Sequence, residues 1–151
     1  MAEIAIIGIG NAMRGDDSAG LAVIDALQQK TPPHVLIAKS RADVGELLSY
    51  FETNRIVYLI DACIADQSAD TWKRLDALQE KINFERPQTS THGFSVAQAI
   101  DLAKILGKLP SKLIIYAIFA SRYSIGDVRS AEVEKAIALV AQSILEEIAH
   151  A

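Results

Sequence analysis

The chain has 151 residues, half of them hydrophobic and about a quarter charged, which is the profile of one globular domain with enough apolar material for a core. Its net charge of -4 and the lack of any dense Lys/Arg run speak against nucleic-acid binding, which needs a basic stripe to neutralise phosphates. One cysteine, Cys63, excludes an internal disulfide and fits a reducing compartment; with no signal-peptide pattern and no apolar run near the ~20 residues of a membrane span, a cytoplasmic protein without membrane insertion is expected.

Glu3 to Ile9 is a near-continuous apolar run that reads as a strand buried on both faces. A glycine-punctuated loop follows, and Asp16 or Asp17 is placed to cap a helix through about Gln29, broken by Thr31-Pro-Pro33. His34 to Ala38 is a second short strand. Asp43-Val-Gly-Glu46 has the spacing of a capping box and opens a helix through about Phe51. Arg55 to Ile60 is a third strand, with Asp61 at its end. Thr71 to Leu75 fits an edge strand, since Lys73 and Arg74 are charged. Ser95-Val-Ala-Gln98 repeats the capping-box spacing and opens a helix ended by Gly107 and Pro110. Lys112 to Phe119 is the fifth strand and about Ser130 to Ile148 the last helix.

Buried strands alternating with amphipathic helices predict an α/β sandwich with a mainly parallel sheet and helices on both faces, residues 1–151 forming a single domain. Ligands of such sheets sit outside the carboxyl ends of the strands, where strand order reverses. With strands one and three adjacent in the centre, Asp17 and Asp61 would flank that crevice.

Three polar islands carry the chemistry: Gly8-Ile-Gly-Asn-Ala-Met-Arg-Gly-Asp-Asp17, Ile60-Asp-Ala62 and Ser90-Thr-His-Gly93. A dinucleotide reading of Gly8-Ile-Gly10 fails on spacing. Gly15 comes five residues after Gly10 rather than three, and two carboxylates would occupy the helix end where a pyrophosphate must sit. Only one of Asp16 and Asp17 can be a cap, which leaves the other to face the crevice. Asp61 closes an apolar strand, where it either binds a turn or serves a site. His92 lies in a polar loop before a helix. Two carboxylates and an imidazole suit nickel, zinc or iron. His34, His150 and the buried-type Cys63 are not expected to act, and no Gly-x-Ser-x-Gly elbow is present.

In this order the islands resemble those of the nickel–iron hydrogenase maturation proteases. That family opens with Gly-x-Gly-Asn-x-x-x-x-Asp-Asp/Glu-x-x-Gly, here Gly8 to Gly20. It carries Asp-Ala after its third strand, here Asp61-Ala62, and a Ser/Thr-Thr/Ser-His triplet before a helix, here Ser90-Thr-His92. The likeness continues through Tyr123-Ser-Ile-Gly126 and Ser130-Ala-Glu-Val-Glu134. It implies a three-layer α/β/α sandwich, phosphorylase/hydrolase-like, around a five-stranded mixed sheet with an antiparallel edge. It also implies an endopeptidase that removes a C-terminal extension from the large-subunit precursor of a hydrogenase once nickel is inserted. The metal-contacting residues map onto Asp17, Asp61 and His92. Nickel would be supplied by the precursor, with no tightly bound cofactor.

Two departures stand out. Lys39-Ser-Arg-Ala42 replaces the family's usual Asp-Gly-Gly or Asp-Gly-Thr after strand two, so Lys39, Ser40 and Arg41 would form the substrate-specificity loop with altered charge. Ile118-Phe-Ala-Ser121 replaces a segment that often carries Glu. Asp16 or a metal-side carboxylate is the candidate general base. His92 must be neutral to ligate, so acid should weaken docking. Two alternatives stay open: a metal- or partner-binding module of the same fold without peptidase activity, and a protease of that fold with an unrelated substrate.

Overall fold

The computed structural model describes residues 3–64, 70–82, 85 and 96–151. Ile4–Ile9 (β1) is buried at every position because parallel strands flank it on both edges and helices cover both its faces. Its neighbours are Val35–Ser40 (β2) and Ile56–Ile64 (β3). Lys112–Ala120 (β5) runs parallel to β3, and Trp72–Asp76 (β4) closes the sheet antiparallel to β5, giving the order β2-β1-β3-β5-β4.

Helices Ala19–Leu27 (α1) and Ala131–Ala149 (α4) cover one face, packing Val23, Ile24, Leu27, Val140 and Ile144 on Ile6, Tyr58 and Tyr116. Val44–Thr53 (α2) and Val96–Leu106 (α3) cover the other, where Leu47, Phe51 and Ile100 meet Ile7, Leu59 and Leu113. The sheet therefore has the mixed, five-stranded, three-layer arrangement that the resemblance implied. No helix among the described residues is long and apolar enough to cross a membrane.

Asp43 caps α2 as its spacing predicts, its Oδ1 accepting the Glu46 N–H at 2.9 Å. The cap expected at Ser95 lies outside the described residues, as does His92. Three boundaries differ from the sequence reading. β3 does not stop at Ile60, because β5 is long enough to supply partners as far as Ala120 and pairs Asp61 with Ala117. Asp61 is thus inside the strand. β2 likewise runs through Lys39 and Ser40, held in register by Gly8 and Ile9. Neither Asp16 nor Asp17 caps α1. Both lie in a 3-10 turn, Gly15–Ser18, that leads into the helix, and Ser18 is the residue before its first turn.

Candidate functional site

The carboxyl end of β1 and the middle of β3 meet the start of α1 at unusually short range. A Cβ on Gly20 would lie 2.4 Å from the Ile9 carbonyl oxygen and 2.5 Å from that of Ile60, and one on Gly8 would lie 2.2 Å from the Gly20 oxygen. Only glycines permit this approach, which is the physical use of the Gly8 and Gly20 positions of the opening motif. It sets the 3-10 turn close to the end of β1, where the pairing of β1 with β3 stops.

Asp17, 1% exposed, is fixed there by its backbone: its N–H donates to the Arg14 carbonyl at 2.9 Å and its carbonyl accepts the Asn11 N–H at 3.2 Å. Asp61, 3% exposed, follows Ile60, whose carbonyl Gly20 faces. By strand alternation its side chain leaves the sheet on the side of Cys63, which packs with Ala117 and Phe119 and behaves as the small buried hydrophobe expected. Two buried carboxylates thus stand at one pole of the sheet. Buried carboxylates are costly without cations or donors beside them, and oxygen donors of this kind suit a divalent metal. Among the described residues no three His, Cys, Asp or Glu side chains gather to hold a metal, and His92, the third member of the expected set, is outside them.

Asp16, a candidate general base in the sequence, is tied into the fold by backbone donors. It is fully buried, and its Oδ2 accepts the N–H groups of Ser121 and Arg122, each at 2.9 Å, while Oδ1 accepts the Ser130 N–H at 2.7 Å. The Ser130 hydroxyl adds a contact at 3.1 Å to Oδ2. Burial pushes its carboxyl upward, but the donated N–H groups of Ser121, Ser130 and Arg122 outweigh it and hold it below the ordinary value. A saturated carboxylate of lowered pKa is a poor proton acceptor, which favours an anchoring role for Asp16 over that of general base. It joins the β1–α1 turn to the segment between β5 and α4. The Asp16 N–H reinforces the joint by donating to the Arg122 carbonyl at 2.6 Å, and the Gly126 N–H donates to the Met13 carbonyl at 3.0 Å. Gly15, at φ +50, has no room for a side chain, since a Cβ would sit 2.4 Å from the Arg122 oxygen.

The expected specificity loop is also redistributed. Lys39 is a strand residue, paired to Asp25 Oδ1 at 2.7 Å. Ser40 is buried: its Oγ accepts the Ala42 N–H at 3.0 Å and its carbonyl accepts the Gly10 N–H at 3.2 Å, so it braces the two adjoining loops. Arg41 alone of the three is a loop residue presented to solvent. Ala42 follows at φ 65, a left-handed conformation natural to glycine.

The sequence reading missed a polar cluster between β4, β5 and α4. The Tyr116 hydroxyl donates to Glu147 Oε2 at 2.7 Å, Arg74 Nε donates to the same oxygen at 3.1 Å, and Lys112 Nζ lies 3.3 Å from Oε1. Burial pushes Tyr116 up to about 12, so it remains a donor, and burial works against Glu147 while Arg74, Tyr116 and Lys112 hold it down. Its signal was present: Glu147 falls three residues after Ile144 and seven after Val140, on the buried stripe of α4. The cluster ties an edge strand to a helix; Tyr116 pairs with Ile60, next to Asp61, but by strand alternation its side chain leaves the opposite face of the sheet.

No protein-family model matches the chain. The hydrogenase 2 maturation protease of Escherichia coli K12 is 22% identical to it over 118 residues, 77% of this chain and 72% of that protein. The structure of the hydrogenase maturating endopeptidase HybD from E. coli superposes with a TM-score of 0.79 at 21% identity, covering 98% of this chain and 93% of that one. The nickel–iron hydrogenase maturation protease HycI from Thermococcus kodakarensis KOD1 gives a TM-score of 0.70 at 23% identity, over 96% and 91% of the two chains. The chain therefore has the fold of the hydrogenase maturation proteases and resembles them in sequence.

Proposed function

We propose that this chain is a cytoplasmic endopeptidase that removes a C-terminal extension from a nickel-loaded large-subunit precursor of a nickel–iron hydrogenase. The observation that carries the reading is the pair of buried carboxylates, Asp17 and Asp61, at the carboxyl pole of a sheet whose whole fold matches that of hydrogenase maturation proteases. Nickel arrives on the precursor and belongs to the substrate; the protease keeps no tightly bound cofactor of its own. Asp17, Asp61 and His92 complete the coordination of that ion, so docking reports whether the precursor is loaded.

Two carboxylates and an imidazole suit nickel by donor type. A divalent cation polarises a scissile carbonyl or lowers the pKa of a bound water. Hydrolysis adds the water oxygen to the carbonyl carbon, breaks the C–N bond and returns a proton to the leaving amine. With Asp16 committed to three N–H donors, the base that takes the water proton is Asp17 or Asp61. Arg41 contributes to substrate choice from the rim.

The test mixes the protein with nickel-loaded and with nickel-free precursor and weighs the large subunit by mass spectrometry. Loss of the tail only with nickel present supports the reading. Precursor binding without any mass change would mark a binding module, and full cleavage by His92→Ala would remove His92 from the mechanism.

A further inference from the structure

The loops around the carboxyl pole carry an exposed apolar group that no core explains. Met13 is 67% exposed, Ile125 69% and Val128 77%. They are held together rather than scattered. The Gly126 N–H donates to the Met13 carbonyl at 3.0 Å, and Gly15 is pressed against Arg122 and Asp127 so closely that a Cβ would lie 2.8 Å from Asp127 Cβ. The Asp16 carboxylate fastens the base of both loops. Large side chains exposed on a braced platform beside a site are characteristic of an interaction surface.

The same pole carries cations with no carboxylate partner among the described residues. Arg41 and Arg122 are exposed and Arg14 half-buried, and none has a carboxylate in ion-pair range among the described residues. The acids on these loops are already engaged: Asp43 accepts the Glu46 N–H at 2.9 Å, and Asp127 accepts the Ser124 N–H at 2.9 Å. A chain of net charge -4 thus presents guanidinium groups beside exposed apolar side chains on the loops of its carboxyl pole.

We infer that the Met13–Ile125–Val128 platform, with Arg14 and Arg122, grips the precursor's C-terminal segment through apolar and acidic side chains. This rests on the proposed function and names the chemistry of the substrate that site takes. Apolar contacts supply affinity, and the guanidinium groups select carboxylates and steer encounter.

Binding of nickel-loaded precursor is measured by biolayer interferometry, alongside cleavage, for the wild-type protein, an Ile125→Ser/Val128→Ser variant and Arg122→Glu. The side chains are exposed, so melting temperatures should match wild type and separate docking from folding. Both variants should weaken Kd by roughly tenfold or more. The Arg122→Glu defect should shrink in high salt while the serine variant's persists. Unchanged Kd in both variants, or wild-type binding as tight to mature large subunit lacking the extension, would overturn the inference. Absence of precursor binding by the wild type would overturn it as well. Platform-dependent binding with no cleavage would sink the peptidase reading and leave the platform standing.

Discussion

The Ser130 N–H donates to Asp16 Oδ1 at 2.7 Å across 114 residues of chain, joining the turn after the first strand to the start of the last helix. Replacement by Asn retains the shape but turns an NH2 group toward backbone donors that need an acceptor. Asp16→Asn should cost about 3 kcal/mol, because hydrogen bonds to a charged acceptor are lost and buried N–H groups are left unmet. Urea denaturation reads this directly. The pH dependence of turnover in the molecules that remain folded should not shift, because Asp16 anchors the site and takes no proton. A normal midpoint with a displaced pH profile would return Asp16 to the catalytic set.

Acid should destabilise the fold through two carboxylates. Asp16 is held below its ordinary 3.8 by N–H donors that overcome burial, and Glu147 below its ordinary 4.5 by Arg74, Tyr116 and Lys112 against the same opposition. A depressed folded-state pKa contributes stability that is whole above the unfolded value and drains as pH falls through the folded one. Urea midpoints should therefore hold level at neutral pH and decline below about 4.5. In Glu147→Gln the decline should be shallower. An equal slope in that variant would show that Glu147 contributes nothing to it.

Two glycine substitutions separate crowding from backbone strain. Gly20→Ala puts a Cβ against the carbonyl oxygens of Ile9 and Ile60, both main chain, and should cost about 3 kcal/mol with loss of function as α1 is pushed from the sheet. Gly107→Ala meets nothing within 4 Å and pays only for its φ of +66, about 1 kcal/mol. Similar losses in the two would mean that the close approach of α1 is not tightly packed.

Much of the architecture could be read from the chain because each signal was local. The apolar runs of β1, β3 and β5, the Asp43 cap and the charged edge strand all depend on residues within a few positions of one another. What escaped was long-range. A carboxylate at a helix start looks the same whether it bonds its own helix or, like Asp16, amides 105 and more residues away. Asp61 looked like a strand end because an acid interrupts an apolar run. The length of β5 carried pairing beyond it, which no window around Asp61 contains. Lys39 and Ser40 were drawn into β2 in the same way by the register with Gly8 and Ile9.

The metal-reading proposal makes a comparative demand of Asp17 and Asp61. If their carboxylates contact the precursor's nickel, Asp61→Asn should bind loaded and unloaded precursor equally and cleave at least about a hundredfold more slowly, since a metal's assistance is worth several kcal/mol. Asp17→Asn should behave alike. Side-by-side Kd values for the two precursor forms decide it. A variant that still prefers the loaded form would place nickel recognition on other residues.

Ala42 offers the last prediction. Its φ of 65 is a conformation that costs a non-glycine residue about 1–3 kcal/mol, yet it is buried against the α2 side of the core, where its methyl group packs. Ala42→Gly removes that strain but also loses the methyl contact and enlarges the freedom of the unfolded chain, a cost of about 0.4–1 kcal/mol. The terms nearly cancel, so thermal stability should change little. Ala42→Val keeps the left-handed backbone and adds β-branching in a buried space, and should lower stability by more than about 2 kcal/mol. The pair of melting curves distinguishes backbone strain from packing: a Gly variant as unstable as the Val variant would mean that the methyl contact, not the φ, governs the turn that carries Arg41.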